Sequence, residues 1–161
     1  MFEVVVLEKH AIPRNPSRKL QFEPGPTEEY CSQIFQQARN RKSIIHVLQN
    51  VEEEWHGFVA LRFDVLAKRP SLVIDYLITS LQYRGMRYND LGGLKISEYL
   101  IAYALSKAAD VNLTVPVRYL ALEPASDELA GFYGRNGFSR LDATDWMFMK
   151  VPMPIPMGVP A

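Results

Sequence analysis

Apolar positions along this chain recur with two distinct periods. Phe2–Leu7 is a short β-branched run and predicts a first strand. From Thr27 the spacing turns helical, with Tyr30, Ile34, Phe35 and Ala38 recurring on one face. Thr27 is read as a cap, and Glu28 and Glu29 suit the positive end of a helix dipole. Ser43–Gln49 and Trp55–Val65 read as a strand pair joined by the acidic turn Glu52-Glu53-Glu54. Leu72–Thr79 is dense enough in apolar residues for a central strand, interrupted by Asp75. A second helix carries Ser97, Leu100, Ile101, Ala104, Leu105 and Ala108 on one face. Val117–Leu122 predicts another strand. Glu123–Ser126 then opens a third helix, with Ser126 as N-cap and Asp127 and Glu128 in its first turn. Trp146–Val151 is the last expected strand.

Between these elements lie two long polar connections. His10–Pro26 holds four prolines and several basic residues, and reads as an extended loop wrapping the domain. Gln82–Gly93 is polar and contains glycine. The tail Pro152–Ala161 holds four of eleven prolines and is expected to be extended or disordered. The order strand, helix, antiparallel strands, strand–loop–helix, strand–helix, strand predicts one α/β domain over residues 1–151, a mixed sheet covered by helices.

Composition narrows the classes. The 161 residues are 48% hydrophobic and 22% charged, as expected of a globular domain. The formal net charge of zero argues against nucleic-acid binding by bulk electrostatics but leaves room for a local basic patch. A single cysteine, Cys31, precludes an internal disulfide and a cysteine metal cluster. His10, His46 and His56 lack ligand spacing, so no metal is expected. No apolar run is long enough to span a bilayer, and a cytoplasmic setting is the expectation.

Candidate chemistry sits in two segments. In the first, Arg84, Arg87 and Lys95 surround a strand–loop–helix junction, where unpaired helix-start amides suit phosphate. Gly85, Gly92 and Gly93 would let the backbone turn there. A plain strand-to-helix connection with solvated cations is the competing reading. The second segment is Leu129-Ala130-Gly131-Phe132-Tyr133-Gly134-Arg135-Asn136-Gly137-Phe138, an aromatic pair on a short helix followed by an Asn-Gly turn. A tyrosine fixed there is a plausible proton donor, or a core aromatic.

Taken together, these segments resemble the GCN5-related N-acetyltransferase superfamily. The last segment is similar to that family's A-x-x-F-Y-x-x-x-G-F ending. Leu72–Thr79 resembles its central strand, Gly57–Leu61 the strand before it, and Tyr83-Arg84-Gly85 the start of its pyrophosphate loop. The resemblance covers roughly Ser43 to Val151. It implies a mostly antiparallel mixed sheet with a splayed parallel strand pair, Leu72–Thr79 and Val117–Leu122, and direct acetyl transfer from acetyl-CoA to a primary amine. Backbone amides near Leu77, Ile78 and Thr79 would hold the pantetheine arm and polarise the thioester. The pyrophosphate would fall to Arg84, Gly85, Gly92, Gly93, Leu94, Lys95, Ile96 and Ser97. Asp127 stands where an Asn often contacts the cofactor. Tyr133 would protonate the departing thiolate, and Asp75 or Glu123 would draw the amine proton. The competing readings are a buried carboxylate paired to an Arg or to backbone for Asp75, and a helix-start charge for Glu123.

The loop departs from the family pattern. Aligning Leu100-Ile101 and Ala104-Leu105 with the family helix puts Lys95 and Ser97 at the two small-residue positions and makes Met86–Gly92 an insertion. This either leaves a cofactor site built on amides around Leu94–Glu98 or weakens it. Two further readings stay open: a toxin-like acetyltransferase of aminoacyl-tRNA, faintly suggested by Phe22-Glu23-Pro24-Gly25, and a non-catalytic CoA-binding regulator. A homodimer is a possible assembly. The acceptor would be set by His10–Pro26, the first helix and Val65–Pro70.

Overall fold

The structure is a computed structural model that describes residues 1–141 and 143–153. Most of the proline-rich tail lies outside them. The described strands hydrogen-bond in the order β1-β2-β3-β4-β7-β9-β8, a seven-stranded mixed sheet flanked by helices. The chain divides into two compact units, Met1–Arg62 with Ile74–Ala102, and Phe63–Val73 with the chain from Tyr103 onward.

In the first unit, β1 (Phe2–Val6) pairs antiparallel with β2 (Ile44–Asn50), from Phe2↔Asn50 to Val6↔His46. β2 pairs antiparallel with β3 (Trp55–Leu66), with an irregularity at Leu48/Gln49. Residues Ile45 to Gln49 are all buried, the polar His46 and Gln49 among them, so this strand is covered on both faces and shows no alternation of burial. Helix α1 (Thr27–Arg39) buries Cys31, Phe35 and Ala38 against Ile45, Val47, Phe58 and Ala60. The Phe35 ring is fully buried, 5.5 Å from Phe58 and 6.2 Å from Trp55. Burying it contributes roughly 1.5–3 kcal/mol. Thr27 is the first residue of α1, not its cap; the N-cap is Pro26, and no side chain caps the helix.

The connection before α1 is a strap, not a free loop. Two 3-10 turns, Lys9–Ala11 and Pro16–Arg18, carry it, and Ile12, Pro16 and Leu20 are buried. Ile12 and Leu20 join the core beneath α1. The expected polar loop before α2 (Ile96–Val111) is likewise built, as a small hairpin of β5 (Arg87–Tyr88) and β6 (Leu94–Lys95). The sequence reading missed it because two-residue strands leave no periodic signal.

β4 (Arg69–Thr79) starts three residues earlier than expected. In the second unit its segment Ser71–Val73 runs parallel to β7 (Tyr119–Leu122), in register from Ser71↔Tyr119 to Val73↔Ala121. β7 pairs antiparallel with β9 (Met147–Lys150), and β9 with β8 (Ser139–Arg140). The expected strand pairing of Leu72–Thr79 with Val117–Leu122 is therefore real and parallel. Helix α3 (Asp127–Arg135) is capped by Ser126, whose Oγ accepts from the Leu129 amide at 3.1 Å. The segment Val65–Pro70 contains the β3–β4 turn, where Ala67 and Lys68 have φ of 48° and 65°, as a two-residue hairpin turn demands.

Gly57 on β3 is fixed by close approach. A Cβ there would lie 2.5 Å from the Ile78 carbonyl oxygen and 3.1 Å from Ile96 Cγ2. Gly57→Ala should therefore destabilise the protein by about 1–3 kcal/mol, read as a lowered thermal midpoint. An unchanged midpoint would mean that β4 yields without cost.

Candidate active site

Tyr133 owes its position to the way α3 ends. Asn136 is the C-cap and Gly137 follows at φ 100°, a conformation that a side-chain-bearing residue rarely adopts. The Phe138 amide donates to the Tyr133 carbonyl at 3.1 Å, and the Gly137 amide donates to the Gly134 carbonyl at 3.3 Å. This double bond pattern is a Schellman motif, and its usual apolar partner contact is present. The Tyr133 and Phe138 rings lie 5.8 Å apart at 74°, and Phe132 closes on Tyr133 at 5.3 Å. Tyr133 is only 8% exposed, and burial raises its pKa above the ordinary phenol value. Its hydroxyl therefore stays protonated at neutral pH, as a proton donor requires.

Glu123 and Asp127, in the same unit, are exposed at the end of β7 and the start of α3. Asp75 is different. Its Oδ1 accepts from Arg62 Nε at 2.7 Å, and its Oδ2 accepts from Ser43 Oγ. An arginine and a buried serine thus hold both oxygens, the arrangement of a paired structural carboxylate.

The cofactor-loop residues all lie in the first unit. Ile78 is buried, and Leu77 and Thr79 are half-buried. Ser80, which directly follows β4, is fully buried. The Ser80 amide donates to the His56 carbonyl at 2.8 Å, and its Oγ accepts from the Gln21 amide at 2.8 Å. The same hydroxyl donates to Gln82 Oε1 at 2.6 Å. The Leu81 amide returns to the Gln21 carbonyl at 2.9 Å, so the strap is stitched to the end of β4. An open groove of about 450 Å³ lies there, lined by Ser17, Leu20, Phe22, Glu23, Glu28 and Leu81 among others.

Arg84 turns back from the loop to pair with Glu23 and to donate to the Thr79 carbonyl at 3.3 Å. Gly85 follows it, and Gly92 and Gly93 close the β5–β6 hairpin, where the Gly93 amide donates to the Tyr88 carbonyl. The helix start is occupied. Glu98 reaches back so that its Oε1 accepts from the Lys95 amide at 2.9 Å and pairs with Arg87 Nη1 at 3.2 Å. This is the acidic half of a capping box. The Lys95 amide, one of those expected to meet phosphate, thus already holds a carboxylate. Leu94, Lys95 and Ser97 are half-buried beside it, and Ile96 is buried.

One cluster escaped the sequence reading, which placed His56 on the surface or in a strand. His56 is 4% exposed and stacks on Tyr83 with ring centroids 3.8 Å apart. Phe2 meets it edge-on at 4.8 Å, and Tyr88 packs on Phe2 at 5.1 Å. Tyr83 Oη donates to Glu54 Oε2 at 3.2 Å. Tyr83 and Tyr88 both belong to the loop, so the histidine anchors it. Only the H-G-F spacing of His56 next to Gly57 could have pointed there. Cys31 is fully buried with its pKa pushed up to about 12, so it is an inert thiol. Among the described residues no three His, Cys, Asp or Glu side chains are grouped to hold a metal.

Two outcomes follow from the loop. Glu98→Ala removes the anion from the helix start and should tighten CoA binding several-fold by calorimetry, while lowering the free protein's thermal midpoint slightly. Unchanged or weaker CoA binding would show that Glu98 does not compete with the cofactor. Burial lowers the pKa of His56 below its ordinary 6.5. The unfolded state therefore takes up the proton first on acidification. Stability from this group is complete above pH 6.5 and declines as pH falls through the lowered folded value. His56→Phe, which keeps a stacking ring, should flatten the fall of the thermal midpoint below that pH; a parallel fall in both proteins would place the acid sensitivity elsewhere.

No protein-family model matches the chain, and no curated protein sequence resembles it. Solved structures do. A mutant of the AtaT toxin bound to the C-terminus of its antitoxin AtaR aligns with TM-score 0.76 and 16% identity, over 94% of this chain and 92% of that one. AtaT complexed with acetyl-methionyl-tRNAfMet aligns at 0.71 and 16%, over 93% and 95%. A mutant of KacT aligns at 0.67 and 12%, over 93% and 95%. The likeness spans nearly the whole of each chain, and with the strand order and the helix-to-strand turn at Phe132–Phe138 it establishes the architecture. The chain has the GCN5-related N-acetyltransferase fold.

Proposed function

We propose that this protein is an acetyl-CoA-dependent N-acetyltransferase whose acceptor is the amino group of an aminoacyl-tRNA. The observation that carries the reading is Tyr133, a neutral phenol pinned by a Schellman turn in the segment that resembles the family's ending. The fold likeness supports it: AtaT has been solved with acetyl-CoA and with acetyl-methionyl-tRNAfMet, and both structures align over 93% of this chain. Sequence reasoning alone ranked an unspecified amine first, because net charge is zero. The toxin alignments favour the tRNA acceptor.

In this reading the unprotonated amine attacks the thioester carbonyl. The N–C bond forms and the C–S bond breaks, with the electron pair leaving on sulfur. Tyr133 gives its phenolic proton to that sulfur, so free CoA departs as the thiol. The new amide nitrogen loses a proton, which returns to the tyrosinate through water. Asp75, held by Arg62 and Ser43, orders β4, and exposed Glu123 is the carboxylate left to accept protons.

Tyr133→Phe keeps the ring and removes the proton. It should lower kcat for CoA release with aminoacyl-tRNA by roughly 10²-fold or more, with little change in KM or thermal midpoint. A variant with wild-type kcat would remove Tyr133 from the chemistry. CoA binding without transfer to any amine would favour a regulatory CoA-binding protein instead.

A further inference from the structure

The net charge of zero conceals a strong segregation. Residues 8–19 and 39–42 together hold seven of the eighteen Lys and Arg, and only one of the eighteen acids, Glu8. These two segments carry a net +6, and the rest of the chain −6. They are also neighbours in the first unit. Arg39 Nη1 donates to the Pro13 carbonyl at 3.1 Å, which ties the end of α1 to the strap. Ile12, Pro16 and Leu20 are buried at four-residue spacing, and Arg14, Arg18 and Lys19 stand exposed between them. Arg41 and Lys42 are exposed where α1 ends. None of these cations forms an ion pair among the described residues. Seven unpaired like charges repel one another, and this costs stability that internal packing does not require. A rigid strap, pegged into the core and stiffened by Pro13 and Pro16, presents them with little entropy left to lose on binding.

We propose that this basic strap, with the turn after α1, is the surface that holds the phosphate backbone of the tRNA acceptor. The inference rests on the aminoacyl-tRNA reading and assigns to it a part of the molecule that the reading leaves open. The strap leads from the cations to the groove at Leu81, because Gln21 is stitched to Ser80 and Leu81 at the end of β4. Along that path the charge changes sign. The groove carries Glu28 and Glu23, the latter paired with Arg84, whereas Arg14 and Arg18 precede Gln21 along the strap and Arg41 and Lys42 follow α1. An aminoacyl-tRNA end has the matching polarity: an amine that is cationic in solution at its tip, and a run of phosphates behind it. A free amino acid, a polyamine or a basic peptide lacks the polyanion and gives the strap nothing to bind. Backbone contacts of this kind supply affinity and position without reading sequence.

The test compares wild type with the quadruple variant Arg14→Gln, Arg18→Gln, Arg41→Gln, Lys42→Gln, whose positions are all exposed. Its thermal midpoint and its shift with acetyl-CoA should match wild type. KM for purified aminoacyl-tRNA should rise roughly tenfold or more near 0.1 M salt, with kcat nearly unchanged. The slope of log affinity against log salt should shrink by about 3, the share of four phosphate contacts. A companion variant that changes the three arginines to Lys should keep both values near wild type. If wild type acetylates aminoacyl-tRNA but the Gln variant keeps its KM and salt slope, the phosphate assignment falls and the acceptor reading stands. If wild type acetylates a small amine and no aminoacyl-tRNA, the acceptor reading falls and takes the assignment with it.

Discussion

A single buried residue, Ser80, holds together through its amide and its hydroxyl the region on which the functional reading of the first unit depends. Ser80 joins the end of β4 to the His56 carbonyl of β3, to the Gln21 amide of the strap and to Gln82 at the start of the loop. Ser80 is fully buried, so leaving its amide or hydroxyl without a partner would cost about 1–3 kcal/mol. Those costs fix four segments at once. The last amides of β4 are presented in one geometry, the groove at Leu81 keeps its wall, and the strap stays on the end of β4. The loop is then held from the other side, where Tyr83 stacks on His56.

Much of this architecture was legible in the sequence, and the reasons are physical. Helix α1 and helix α2 announce themselves by a period, because each buries one face, and strands β2, β3 and β4 by dense runs, because stretches of each are covered on both faces. The ending Phe132–Phe138 was legible for another reason: a Schellman turn needs a glycine at one place and an apolar residue at the next, so Gly137 and Phe138 report backbone geometry directly. Tyr133 was legible with them, as the third residue from the helix end. An arginine partner for Asp75 was the competing reading of that residue, and Arg62 supplies it; the β5–β6 hairpin, the strap turns and the serine partner of Asp75 were not legible. They depend on pairings distant in sequence, Ser43 with Asp75 and Gln21 with Ser80, and on two-residue elements without a period. His56 lies in a strand, one of the two places expected for it, but its burial was not legible, since a buried stacked histidine and an exposed one look alike in a strand.

Charge shows a similar divide between total and distribution. A net value of zero argued against a nucleic-acid partner, yet the folded strap gathers unpaired cations that an acidic remainder cancels on paper only. The loop before α2 adds a counterpoint. Glu98 satisfies the helix start by itself, which explains how the chain keeps an enlarged loop ordered where the family pattern has small residues: a carboxylate and Arg87 replace what backbone compactness would otherwise provide. The fold thus keeps its framework while fastening the loop before α2 and the strap before α1 with side chains of its own.

The central claim is that Tyr133 and the strap serve acetyl transfer to an amino group carried on tRNA. The most direct measurement is mass spectrometry of the aminoacyl moiety, released from charged tRNA after incubation with the protein and isotope-labelled acetyl-CoA. The account predicts an N-acetylated amino acid carrying the label, and no label on uncharged tRNA or on the free amino acid. An aminoacyl moiety that stays unmodified while labelled acetyl-CoA is consumed on another amine would contradict it.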